Sequence, residues 1–134
     1  MPSMLTAAVE YRALKSEFTD ATLYVGLSVV PLHRWSTLDD VVEPDDASYE
    51  RKPITFSAPE ERNGMATIYN TGSTVFDPWE DDEDQEIVYA FVTTAASGTD
   101  GEIRLVIELV PSSKPVKGEP VQIPADFIQV GVRY

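Results

Sequence analysis

Between Leu23 and Val29 an apolar side chain falls at every second position: Leu23, Val25, Leu27 and Val29, with Tyr24, Gly26 and Ser28 between them. This period of two is that of a strand with one face on a core. Gly26 in its middle calls for a close neighbour on the outer face, or a bend. Ile103, Leu105, Ile107 and Leu109 repeat the pattern more clearly than any other segment. Ile87 to Thr94 alternates too, but Ile87, Tyr89 and Phe91 stand against Val88, Ala90 and Val92, so both sides are apolar. That composition predicts a central strand covered on both faces. Ser97-Gly98-Thr99-Asp100-Gly101 is turn chemistry, and it pairs this strand with the one from Ile103 as a hairpin.

Shorter strands are expected at Tyr49–Ser57, Met65–Asn70, Ser73–Phe76, Val121–Ile123 and Phe127–Val132. Pro53 places the first at an edge or a bulge, and Asn63-Gly64 marks a turn before the second. Residues 3–18 instead carry apolar side chains at helical spacing, with Ser3 as the expected N-cap. Leu5, Ala8, Val9, Arg12 and Ala13 fall near one face, and Leu14 and Phe18 continue the apolar side. The fold class expected is therefore mainly β: an antiparallel β-sandwich or barrel of seven to eight strands with a short N-terminal α-helix. The break near residue 20 divides residues 1–20, a helical arm, from residues 21–134, the β-sandwich domain. A chain cut at residue 20 is expected to keep its β-domain and lose its partner.

The chain of 134 residues suits one domain, and 43% hydrophobic residues suit a folded one. No run approaches the ~20 apolar residues of a membrane helix. Glu10, Arg12, Lys15 and Glu17 interrupt the N-terminal segment, so it does not read as a secretory signal. The expectation is a protein made in a cytosol, with no membrane partner. There is no cysteine, which removes disulfides, thiolate metal sites and cysteine nucleophiles. The formal net charge is −13, from 23 acidic and 10 basic residues. Nucleic-acid binders need a basic face to displace counterions from phosphates, so no nucleic-acid partner is expected. Like charge also keeps free subunits apart until they meet a specific surface.

Sites of reaction chemistry are sparse. His33 is the one histidine, and no Gly-x-Ser-x-Gly elbow, P-loop or Gly-x-Gly-x-x-Gly occurs. No enzyme activity, cofactor or catalytic residue is expected. The acids cluster in loops, where a carboxyl keeps its ordinary titration. Asp81, Asp82 and Asp84 are weak candidates for calcium, because that ion gathers several oxygen ligands. Their spacing is not that of an EF-hand, and a solvated, self-repelling loop explains them more simply. Pro31 to Ser48 is a long connection, a kind that is often functional. Partner contacts are expected at Leu5, Val9 and Arg12 on the helix and at the aromatic residues Trp35, Trp79 and Tyr134.

The order of segments carries a further pattern. Ala21-Thr22-Leu23-Tyr24-Val25-Gly26-Leu27-Ser28 follows the helix. Tyr49 and Arg51 precede Ile54-Thr55-Phe56, and Asn70, Phe76 and Trp79 come after. Ile87-Val88-Tyr89-Ala90-Phe91 and Val116-Lys117-Gly118-Glu119-Pro120-Val121-Gln122-Ile123-Pro124 complete it. This resembles a family of small tailed-bacteriophage virion proteins, labelled head decoration, head fibre or tail fibre proteins, over roughly residues 5 to 130. Two features depart from it: the acidic insert Glu80–Glu86, and Thr94 where the family has Asp. The resemblance implies a non-enzymatic structural subunit, foremost a capsid decoration protein that binds the outer surface of the shell and stabilises it. The alternative is a tail or fibre component contributing to host attachment. It further implies the major capsid protein or other virion subunits as partners, a homo-oligomer such as a trimer, and a place in the virion after assembly in the host cytoplasm.

Overall fold

The computed structural model describes residues 3–81 and 86–131. It is mainly β, with one N-terminal helix and antiparallel sheets that stack as a sandwich of about nine strands. The expected fold class is what is found, with one or two more strands than the sequence announces. In chain order the elements are α1 (Ala7–Leu14) with a π-helical turn at Lys15–Thr19, β1 (Leu23–Ser28), β2 (Lys52–Ile54), β3 (Glu60–Arg62), β4 (Met65–Tyr69), β5 (Thr74–Val75), β6 (Ile87–Thr93), β7 (Ile103–Ser113), β8 (Gln122–Ile123) and β9 (Gln129–Gly131). The sheets run β2-β1-β6-β7, β3-β4-β9 and β5-β8. Pro53 lies in the edge strand β2, where its missing N–H costs no ladder bond. Asn63 and Gly64 both take positive φ, 53° and 79°, which is the two-residue turn that β3 and β4 need to match their twist.

The main core lies between the sheets. Leu23, Val25 and Leu27 enter it from β1, Ala66 and Ile68 from β4, Ile123 from β8, and Ile87, Ala90 and Val92 from β6. A smaller core covers the other face of the four-stranded sheet, where Leu32 and Leu38 of the 31–48 connection pack on Phe91 and Ala95. Strand β6 is thus covered on both faces, Ala90 and Val92 meeting the main core and Tyr89 and Phe91 the second, while a register shift between Ile87 and Tyr89 turns Ile87 to the main core and away from the side expected for it. The long connection is a strap that closes this second core, and Val29 N donates to Val42 O at 2.8 Å to hold its end. Gly26 has the close neighbour its position asked for. It sits opposite Phe91 in the ladder, and a Cβ there would stand 2.4 Å from Phe91 Cζ.

The helix differs from expectation in its cap and its buried side. Thr6, not Ser3, is the N-cap, and its hydroxyl accepts from Val9 N at 3.4 Å. Glu10, Leu14 and Phe18 lie inward at a spacing of four, while Leu5, Ala8, Arg12 and Ala13 lie outward. Leu14 and Phe18 belong to the main core, and the Phe18 ring meets Phe56 edge-on at 5.5 Å. Thr19 Oγ1 donates to Ser57 O at 2.6 Å, and Arg104 Nη1 to Glu17 O at 2.6 Å. A cut at residue 20 would therefore take two core side chains, Leu14 and Phe18, with it.

Candidate functional site

Several polar side chains inside the sandwich form a hydrogen-bonded network. Tyr49 follows the strap and reaches under it, donating its hydroxyl to Glu43 Oε2 and accepting from Leu27 N at 3.0 Å. Arg51, two residues on, grips the same carboxylate through Nη2 to Oε1 at 2.7 Å and Nε to Oε2 at 3.2 Å. Its remaining N–H groups donate to Ala95 O and Gly98 O, each at 2.9 Å. A guanidinium buried this deeply needs such a full set of acceptors. Burial, and then the neighbouring Glu43 charge and its hydrogen bond, push the Tyr49 hydroxyl well above its ordinary titration. The trio is a clamp that ties the strap to the sheet and to the 95–98 turn.

Beside the clamp, Tyr49 stacks in parallel on Phe76 at 6.0 Å and on Trp79 at 6.3 Å. Asn70 is wholly buried and braces the other end. Its amide donates to Gly72 O and Pro124 O, and its Oδ1 accepts from Ile128 N at 2.8 Å. Tyr49, Arg51, Phe56, Asn70, Phe76 and Trp79, which the sequence singles out as a pattern, therefore all serve as internal struts. Trp79 was expected as a partner contact and is not exposed: 3% of its surface is accessible. It stacks on Tyr49, and its Nε1 has no hydrogen-bond partner among the described residues.

Asp46 ties down the start of the acidic loop. Asp46 accepts from Ser48 Oγ at 2.6 Å and Ser48 N at 3.0 Å, and from the backbone N of Glu80 and Asp81 at 3.2 and 3.0 Å. The Ser48 hydroxyl, followed by these backbone donors, holds the Asp46 carboxyl down at about 2. Of the calcium candidates only Asp81 is described, while Asp82 and Asp84 lie outside the described residues. Among the described residues no group of three or more His, Asp or Glu side chains is placed to hold a metal ion.

What remains for contact lies outside. On the helical segment Leu5 and Arg12 are exposed and Val9 is partly so. Trp35 stands at the turn of the strap with 75% of its surface accessible and the Arg34 guanidinium 4.9 Å over its ring. His33 is exposed beside it, with Nδ1 accepting from Trp35 N at 3.2 Å. Tyr134 lies outside the described residues. The sequence did not single out Val110 and Phe127, which are 78% and 54% exposed. They border a concavity at the end of β7, together with Pro111 and Val121. The signal was present as an apolar run that continues past Leu109 to Val110, but alternation alone does not say which edge a neighbour covers. Among the described residues no helix is long and apolar enough to cross a membrane. Comparison with protein-family models, curated proteins and solved structures finds no match for this chain.

Proposed function

We propose that this chain is a non-enzymatic structural subunit of a tailed-bacteriophage particle, foremost a decoration protein seated on the outer surface of the capsid shell. One observation carries the structural reading. The half-buried Tyr49 and the buried Arg51 and Asn70 are spent on internal hydrogen bonds, while large apolar groups such as Leu5, Trp35, Val110 and Phe127 face outward. Exposed aromatic and aliphatic side chains of this size are characteristic anchors of protein contacts. The resemblance of the segment order to small phage virion proteins supplies the setting. The acidic surface suits the outside of a shell, where nothing must grip the genome. A subunit there adds contacts across joints of the lattice and so opposes the pressure of packed DNA. The homo-oligomer, a trimer by the same resemblance, would multiply weak single contacts into firm attachment.

The second reading, a tail or fibre component, draws on the exposed Trp35, which suits receptor contact as well as subunit contact. Quantifying the chain in purified particles separates the two. Copy numbers on the scale of the capsid lattice support decoration, and a handful per particle supports the tail. Absence from the particle sinks both.

A further inference from the structure

Strand β7 is the longest of the described strands and ends its sheet, paired on one side with β6. Strand β9 ends the neighbouring sheet, paired with β4. The two strands border one groove of about 420 Å³, lined by Leu105–Glu108 and by Phe127–Gly131. No described strand fills it. Every second residue of an end strand turns its N–H and C=O away from its one partner, so this groove offers backbone donors and acceptors. Register shifts at both ends of the β6–β7 ladder confine the regular stretch to Leu105–Glu108. That is the length of a short added strand.

The surroundings of β7 are unlike at its two ends. Toward Ser113 they are apolar, with Val110 and Phe127 exposed. Toward Ile103 they are polar: His33, Arg34 and Arg104 line a second hollow of about 260 Å³. Arg104 is shared by Glu17 and Glu102 at 3.3 and 3.0 Å. Arg34 has no carboxylate partner among the described residues and rests on Trp35.

We propose that the outer edge of β7 receives an extended segment of another polypeptide as an added strand, apolar along the β7–β9 groove and with a carboxylate at the end over Arg34. Main-chain bonds supply the attachment, and Arg34 with Trp35 sets which end lies where. A second copy of this chain would bring its own strong negative charge to the contact, so a different partner is favoured. The inference rests on the structural-subunit reading only for the partner being a virion protein.

The test uses the full chain and synthetic peptides of alternating Val and Thr that end in Asp-Glu or in Lys-Lys, read by amide hydrogen exchange in NMR. The Asp-Glu peptide should slow exchange of the outward amides within Leu105–Leu109 about tenfold or more. The Lys-Lys peptide should bind about fivefold more weakly, and Arg34→Glu should reverse that preference. A peptide N-methylated at alternate positions should not bind. The proposal is overturned if neither end-charged peptide protects β7, if the N-methylated one binds equally, or if Arg34→Glu leaves the preference unchanged. It is also overturned if β7 is protected in the chain alone in a concentration-dependent way, which would mark a second copy as the occupant. Particle association without peptide addition would sink this inference alone, and peptide addition by a chain absent from particles would sink the phage reading alone.

Discussion

Arg51 holds Glu43 with two N–H groups, at 2.7 and 3.2 Å, across the base of the strap that runs over the four-stranded sheet. The guanidinium side chain is only 3% exposed, so its partners cannot be replaced by water. Removing Arg51 leaves the half-buried Glu43 carboxylate without its cation and the Ala95 and Gly98 carbonyls without their donor. Arg51→Ala is expected to lower stability by about 3–5 kcal/mol, read from urea unfolding midpoints. Arg51→Lys should recover little of this, because a lysine lacks the fork that spans both carboxylate oxygens and two carbonyls.

Gly26 and Phe91 form a cross-strand pair in which the ring occupies the space of the missing side chain. Gly26→Ala should cost about 1–3 kcal/mol through overpacking. Shortening the ring in Gly26→Ala/Phe91→Leu should return part of that loss, so a thermal-denaturation cycle should be non-additive.

The helical segment separates its inner and outer faces by residue. Phe18→Ala opens a cavity against Phe56 and should cost about 3–5 kcal/mol. Leu5→Ser and Arg12→Ala, on the exposed side, should change stability by no more than ~0.5 kcal/mol. The same two outer substitutions should weaken attachment to particles, measured by co-sedimentation. If they alter unfolding and leave attachment intact, the outer face has been misassigned.

Acid should release the strap's tie to the acidic loop. The Asp46 carboxyl titrates at about 2 in the folded chain against an ordinary 3.8. The folded chain thus binds fewer protons than the unfolded one between those values. The contribution is present above the ordinary value and is lost as pH falls through about 2. Asp46→Asn should flatten this part of a stability profile taken across that range.

Much of the scaffold was legible because alternation reports directly on which face is buried. It located β1, β6 and β7, predicted the two-sided cover of β6, and Asn63-Gly64 located the β3–β4 turn. Strand β3, Glu60–Arg62, carries no apolar alternation and was not foreseen, since its place is set by pairing with β4. The helix was read correctly as a helix, but its inward side is fixed by where Phe56 waits for Phe18, and that is a tertiary fact. Trp79 was misjudged for the same reason. A tryptophan beside an acidic run looks exposed until Tyr49, thirty positions earlier, is seen to stack on it. Glu43 reads as one more loop acid, and only the fold brings Arg51 and the Tyr49 hydroxyl onto it.

A cryo-EM reconstruction of the proposed host particle tests the central claim, that this chain is a virion subunit, most directly. The account predicts density for the β-sandwich on the outside of the shell at regular lattice positions, with the helix's outer face or the β7 edge against a neighbouring subunit. Particles without this density in head or tail, and a purified chain that turns over a substrate and binds no virion subunit, would contradict it.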